Sequence, residues 1–274
     1  MAIEQFEELA LVLRVHAFQE RDRIVTLLTE HHGKINVLAR GAVSSKRFGG
    51  ALDVFAVSKI DVRKKNHAQL GHIQSARLHH ELRGLSGNLE VFYAASFILE
   101  FCYRILEEQA PARDLFVQAC QALVSLSEVA GGKIPFEGDD ALVAKILTLF
   151  MWRALVILGV QPNLTHCLSC KLSLDYDFEF VRWSPTQSGL HCSNCQVLGP
   201  SILVEGKSLR NFLLEHALSW SALRQQWATT RPAAIWPRKE WLFLLNLLVE
   251  YLKLHLNQYP KKGFESLKLF NSVL

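Results

Sequence analysis

Residues 52–62, Leu52-Asp-Val-Phe-Ala-Val-Ser-Lys-Ile-Asp-Val62, decide the fold class of the amino-terminal part of the chain. Leu52, Val54, Ala56, Ile60 and Val62 share one face at a period of two, and Asp53, Lys59, Asp61 and Arg63 share the other. Such alternation marks a β-strand with one face in a core and one in water. Working outward, residues 9–15, 24–29 and 34–40 are further apolar, β-branched-containing runs. The last of these follows the turn-like His32-Gly33, and residues 69–78 make a fifth candidate. Five short strands this close together suit a small closed barrel, because closure leaves no exposed edge. Periodicity alone fits an OB-fold and an SH3-like barrel equally.

From about residue 80 the period changes. Leu89, Phe92, Tyr93, Ser96, Leu99, Tyr103 and Leu106 recur at helical spacing until Pro111 breaks the run. Residues 115–126 and 142–158 predict two more helices. Gly131-Gly132-Lys133-Ile134-Pro135 separates them, and Gly159-Val-Gln-Pro162 stops the second. Residues 205–216 and 239–255 resume the helical period, and Phe264, Leu267, Leu269 and Phe270 offer a carboxy-terminal tail apolar groups with which to dock. The aromatic stripes read as bundle core.

Between these helices lies Cys167-Leu-Ser-Cys170, then 21 residues, then Cys192-Ser-Asn-Cys195. Two C-x-x-C pairs predict one tetrahedral zinc site, because each tight turn aims two thiolates at a single point. Phe178, Phe180 and Trp183 give the intervening segment a strand-like character, and Ser184-Pro185 and Ser188-Gly189 supply turns, as in a zinc ribbon. Four thiolates close the coordination shell, so the Zn(2+) would be structural. His166 and His191 each adjoin a cysteine and are alternative ligands. Cys102 and Cys120 stand in apolar helical surroundings and read as core. The expected fold class is therefore α+β and multidomain. A β-barrel domain spans residues 1–80 and a helical domain 81–274, with a zinc-ribbon-like insertion at about 163–204.

Half of the 274 residues are hydrophobic and a fifth are charged, a composition that excludes a disordered chain. No basic, then apolar, leader opens the sequence. The most apolar run, residues 144–160, carries Lys145 and Arg153, which favours a buried helix over a membrane span. A reducing cytoplasm is the expected location, with cysteines used for metal rather than disulfides. No enzymatic activity is expected. Gly33-Lys34 is not a phosphate-binding loop, since Leu28 stands where its first glycine belongs and Ile35 where Ser or Thr belongs. His79-His80-Glu81 lacks the Pro-Cys-x-x-Cys partner of the zinc deaminases. Residues 1–80 hold 12 basic and 8 acidic residues, which accounts for the whole formal charge of +4. Lys34, Arg40, Lys46, Arg47, Arg63, Lys64 and Lys65 are candidates for a phosphate-tracking DNA surface, with Phe48 available for stacking. Solvated turns would leave the same pattern.

Several stretches together resemble the RecO family. They are Ala10-Leu-Val-Leu13, residues 20–29, Gly33-Lys34, Arg40-Gly41-Ala42 with its following Ser-Lys, and Leu158-Gly159-Val160-Gln161-Pro162 leading into Cys167. Gly189-Leu190-His191-Cys192 and Leu252-Lys-Leu-His255-Leu complete the set, and the resemblance covers most of the chain. It implies an amino-terminal OB-fold followed by a helical domain with a zinc-ribbon-like insertion. The role it implies is that of a non-enzymatic, nucleoid-associated recombination mediator in DNA repair. Such a protein binds single- and double-stranded DNA, anneals complementary strands and acts with RecR. It engages the tail of single-strand-binding protein and helps load RecA, with RecF as a further functional link. The segment Asn257-Gln-Tyr-Pro-Lys-Lys-Gly departs from the shorter linker the family would lead one to expect. The alternative is a zinc-ribbon interaction module that contacts RNA or the transcription machinery.

Overall fold

The barrel is built from β1 (Ile3–Phe18), β2 (Asp22–Thr29), β3 (Gly33–Ala39), β4 (Val57–Lys65) and β5 (Gly71–His80). It is seen in a computed structural model that describes residues 3–43, 48–65, 70–80, 82–135, 141–174, 178–229 and 238–273. The strands close in the order β1-β2-β3-β5-β4. β1 serves two partners. Its first half pairs with β4, from Ile3 opposite Lys65 to Leu11 opposite Val57. From Ala10 opposite Thr29 it also pairs with β2, through an irregularity between Val12 and Arg14, ending with Phe18 opposite Asp22. A parallel contact, Val37 opposite Gly71, joins β3 to β5 and shuts the sheet. This is the OB-type five-stranded arrangement, which resolves the choice that periodicity left open. Val12, Val25, Leu27, Val37, Ile60, Val62 and Ile73 fill the interior.

The 52–62 stretch is only half a strand. β4 starts at Val57, and residues 48–56 are a chain of turns closed by Ala51 N–H to Phe48 O, Asp53 N–H to Gly50 O and Ala56 N–H to Asp53 O. Phe48, Ala51, Leu52 and Ala56 still enter the barrel core, as a plug rather than a strand. Val54 is 44% exposed and Phe55 takes a positive φ of 75°, so the alternation fails where the chain turns.

The remaining elements are α1 (Leu89–Ile105), α2 (Arg113–Ala130), α3 (Leu142–Ile157), β6 (Phe180–Ser184), β7 (Gly189–His191), β8 (Ile202–Glu205), α4 (Gly206–His216), α5 (Trp220–Thr229), α6 (Arg238–His255) and α7 (Glu265–Ser272). Packing divides the chain differently from the change of period near residue 80. One compact unit is Met1–Gly131 with Pro260–Leu274, and the other is Gly132–Tyr259.

In the first unit α1 packs on β1, α2 on β2 and α7 on α1. Leu11, Leu13 and Leu28 lie outside the barrel's core cluster and are nevertheless buried, which places them under this helical cover. The Asn88 side chain accepts the Val91 N–H and starts α1. Gly33 fits where no other residue would. Its φ is +67°, and a Cβ there would stand 1.9 Å from the carbonyl oxygen of Ala110. α7 begins where the Glu100 carboxylate accepts the N–H groups of Glu265 and Ser266, and it buries Phe264, Leu267 and Phe270 but leaves Leu269 exposed.

In the second unit α3 packs on α6, and β7-β6-β8 form a three-stranded antiparallel sheet. α5 was not expected. Its buried Trp220, Leu223 and Trp227 follow helical spacing, and Ser219 Oγ accepts the Ala222 N–H at its start.

Candidate functional site

The four cysteines converge. Their sulfurs all lie within 4.8 Å of one another, and Cys170 Sγ stands 3.8 Å from Cys192 Sγ. Sulfurs bound at about 2.3 Å in a tetrahedron are about 3.8 Å apart, so the spacing fits a Zn-sized dication. Backbone contacts bring the two turns together. The Leu168 N–H donates to the Leu190 carbonyl, the Cys192 N–H to Cys167 Sγ at 3.4 Å, and the Cys167 N–H to the Leu172 carbonyl. Lys171 follows the first pair with a φ of +62°, which reverses the chain behind it. The predicted zinc-ribbon sheet is β7-β6-β8, with Phe180 and Trp183 on β6.

Two further contacts brace the metal turns. Arg182 Nη1 donates to the carbonyls of Ser193 and Cys195, and Ser169 Oγ pairs with His191 Nδ1 at 2.9 Å. Arg182 is thereby committed to the second Cys-x-x-Cys turn. Neither histidine replaces a cysteine in the four-sulfur group. His166 Nδ1 pairs with Thr165 Oγ1, and buried His191 has a lowered pKa, through its burial first and Arg182 second.

Burial opposes ionisation of Cys167, but the N–H groups of Cys170, Cys192 and Ser169 outweigh it and bring the thiol down to about 6. The sulfurs of Cys192 and then Cys170 push the Cys195 thiol up to about 12. A cluster in which one thiol ionises easily and hydrogen bonds between sulfurs keep another protonated is a donor set that a thiophilic dication stabilises. Cys102 and Cys120 are the reverse case. Burial holds the Cys102 thiol well above the ordinary value and pushes Cys120 up to about 12, as expected of core residues.

The predicted DNA-binding side chains fare unequally. Lys34 Nζ turns inward, donating to the Tyr103 carbonyl at 2.7 Å over that residue's ring, 5.2 Å from its centroid. Burial lowers its pKa, with Glu108 opposing. Arg40 is exposed just past β3, and Arg63 is exposed on β4. Lys64 is half-buried and lines a cavity of about 210 Å³ with Phe6, His32 and Glu108. Lys65 pairs through its backbone with Ile3, but its side chain, like Lys46 and Arg47, lies outside the described residues. Phe48 is 5% exposed in the barrel core, so it is not available to stack on a base.

Sequence reasoning passed over two cations. Arg77 on β5 lies opposite Lys59 on β4, and both are exposed. In the sequence Lys59 is one of several charges on a polar strand face, and Arg77 lies alone in the fifth candidate strand. The first unit also carries an apolar groove of about 450 Å³. Leu13, Phe55, Phe92 and Leu99 line it, together with the charged Arg14, Arg104, Glu100 and Glu265. The Arg14 guanidinium lies 4.5 Å from the Tyr103 ring centroid, and Arg104 pairs with Glu100 at 2.8 Å.

Among the described residues, no helix is long and apolar enough to cross a membrane. A family model described as "Recombination protein O N terminal" matches residues 1–82, and one described as "Recombination protein O C terminal" matches residues 86–263. A Nocardioides protein named DNA repair protein RecO is 28% identical over 256 residues, 92% of this chain and 95% of its own. The Bacillus subtilis protein of that name is 32% identical over 186 residues, 68% of this chain and 66% of its own. The one from Syntrophus aciditrophicus is 30% identical over 185 residues, 67% of each. Both parts of the sequence are thus matched in order, and the chain belongs to the RecO family.

Proposed function

We propose that this chain is a non-enzymatic mediator of homologous recombination in DNA repair. It binds single- and double-stranded DNA and anneals complementary strands. With RecR, it helps RecA load onto DNA covered by single-strand-binding protein, with RecF as a further functional link, in the bacterial cytoplasm at the nucleoid. One observation carries this reading: the RecO match covers a barrel region that also holds the chain's entire excess of positive charge. The name shared by its relatives, DNA repair protein RecO, supports the repair role.

The mechanism is electrostatic. Two strands repel through their phosphates, and a cationic surface that neutralises part of each lowers the barrier to their meeting. Arg40 and Arg63, exposed on the barrel, serve this best among the described candidates, with Lys46, Arg47 and Lys65 completing the set. Cys167, Cys170, Cys192 and Cys195 would hold one Zn(2+), which supplies a cross-link between two turns and no open position for chemistry. The apolar groove at α1 supports a contact with the tail of single-strand-binding protein: its apolar side chains would enter the groove and its acidic ones would face Arg14.

The test is an annealing assay with complementary oligonucleotides across a salt series. The full chain is expected to accelerate annealing at low salt. On single strands the log–log slope of affinity against salt should be about −0.7 per phosphate contacted. Absence of both binding and annealing would remove the proposal, and selective RNA binding by the ribbon would favour the interaction-module alternative.

A further inference from the structure

The outer surface of this barrel has one face closed by the unit's own helices and one face open. Barrels of this class commonly bind nucleic acid across β2 and β3. Here that face is occupied by protein. Leu28 of β2 is buried outside the core cluster where α2 packs on β2. On β3, Lys34 Nζ donates to Tyr103 O, Asn36 Nδ2 donates to Glu108 Oε1, and the Lys34 carbonyl accepts the Gln109 N–H.

The opposite face, made by β4, β5 and the first half of β1, is exposed and carries cations in register. Lys59 of β4 stands directly opposite Arg77 of β5, and Arg63 stands opposite His72. At about 3.3 Å per residue, Lys59 and Arg63 are about 13 Å apart along the strand. Like charges directly opposite on neighbouring strands destabilise a sheet. The Lys59–Arg77 pair is relieved on one side only, by Glu7 Oε1 at 3.1 Å from Lys59 Nζ. Between the cations, Asp61 is held by the Gln5 amide. Among the described contacts, Arg63 and Arg77 have no acidic partner.

We propose that this β4–β5 face, through Lys59, Arg63 and Arg77 with His72 beside them, carries the phosphate backbone of a single DNA strand. The inference rests on the DNA-binding reading above and moves its site off the helix-covered face. Charge complementarity selects the occupant. The cations form a stripe along the paired strands, with Ser75 as the small exposed residue opposite Asp61, and among the described residues of the stripe the His72 imidazole is the one ring on which a base could stack. Binding here would be strong in salt dependence and weak in sequence preference.

The experiment compares full-length wild type with R63Q/R77Q, E7Q and K46Q/R47Q. Affinity for an oligothymidylate is read by fluorescence anisotropy over a salt series, and the melting temperature checks the fold. R63Q/R77Q is expected to flatten the log–log slope by about 1.4, two contacts at about 0.7 each, and to weaken binding at low salt at least about tenfold. E7Q frees Lys59 and removes a negative charge, so it is expected to tighten binding about two- to threefold, one phosphate contact at low salt, a gain that misfolding cannot mimic. If R63Q/R77Q keeps wild-type affinity and slope while K46Q/R47Q loses them, the strand runs along the other loop and this inference falls with DNA binding intact. If the wild type binds no DNA, the functional proposal falls as well.

Discussion

A cation's residue type says little about what it does until its surroundings are known. Lys34, Arg63 and Arg182 read alike in the sequence. In the fold, Lys34 is held by the Tyr103 carbonyl, Arg182 by the carbonyls of Ser193 and Cys195, and Arg63 alone faces water. Lys145 is a sharper case. With Arg153, its presence in an apolar run favours a buried helix over a membrane span, yet its partner lies 70 residues away and leaves no local trace. Lys145 Nζ meets Glu215 Oε1 at 2.8 Å, with both side chains largely buried and the Trp241 ring centroid 5.1 Å from the ammonium. Glu215 Oε2 is buried without a hydrogen-bond partner among the described residues, so the pair depends on its mutual attraction. Removing one charge strands the other. E215Q is expected to destabilise the Gly132–Tyr259 unit by about 3–5 kcal/mol, and the double replacement K145M/E215L to restore most of that loss. Urea unfolding followed by tryptophan fluorescence measures both, since Trp227 and Trp241 surround the ammonium. A double variant as unstable as E215Q would show that packing, not charge, holds the site.

At the scale of elements, alternation proved to report burial rather than conformation. Leu52 and Ala56 are inside, as their period predicts, but turns put them there and Val54 points outward. The converse signal was present and carried information: residues 10–13 are apolar without alternation, and all four are buried, because one face of β1 meets the barrel core and the other meets α1. α7 was only half legible. Its apolar residues announced docking, but its anchor, Glu100, lies 165 residues away and could not be read locally. That anchor gives the helix a pH dependence. Burial alone would raise the Glu100 pKa. Hydrogen bonds from the Ser266 side chain and N–H, then Arg104 and the Glu265 N–H, reverse this and hold it below the ordinary 4.5. A depressed folded-state pKa means the stabilisation is complete above the unfolded value and is lost as pH falls through the lower one. α7 should therefore stay docked at neutral pH and begin to loosen below about 4.5. E100Q should loosen it at neutral pH too. Amide exchange at Glu265 and Ser266 is the measurement, and equal protection in E100Q and wild type would contradict it.

At the scale of the whole molecule, the sequence located the change from strand to helix near residue 80, whereas packing places the unit boundary at Gly131 and brings Pro260–Leu274 back to the barrel's unit. A shift of period marks where one kind of element ends. It does not say which helices bury which faces, and here α1, α2 and α7 belong with the strands. The cysteine cluster lies wholly within the other unit, while the exposed cations Arg63 and Arg77 lie in the barrel's. This separation makes metal and DNA binding distinguishable. The ribbon's strands are short, with three residues in β7 and four in β8, and a sheet this small has little apolar area with which to fold. Stripping the metal with a thiol-reactive agent and a chelator should therefore unfold residues 163–204, exposing them to limited proteolysis. Structural zinc contributes about 10–16 kcal/mol in comparable small sites. C170S should reproduce the effect, since an exposed hydroxyl in place of that thiolate leaves three sulfur ligands. In the same metal-depleted protein, affinity for single-stranded DNA and its salt slope should stay within about twofold of wild type, because phosphate contacts to the barrel involve none of the four cysteines. A parallel collapse of DNA affinity and ribbon structure would instead assign the ribbon a direct part in holding the strand.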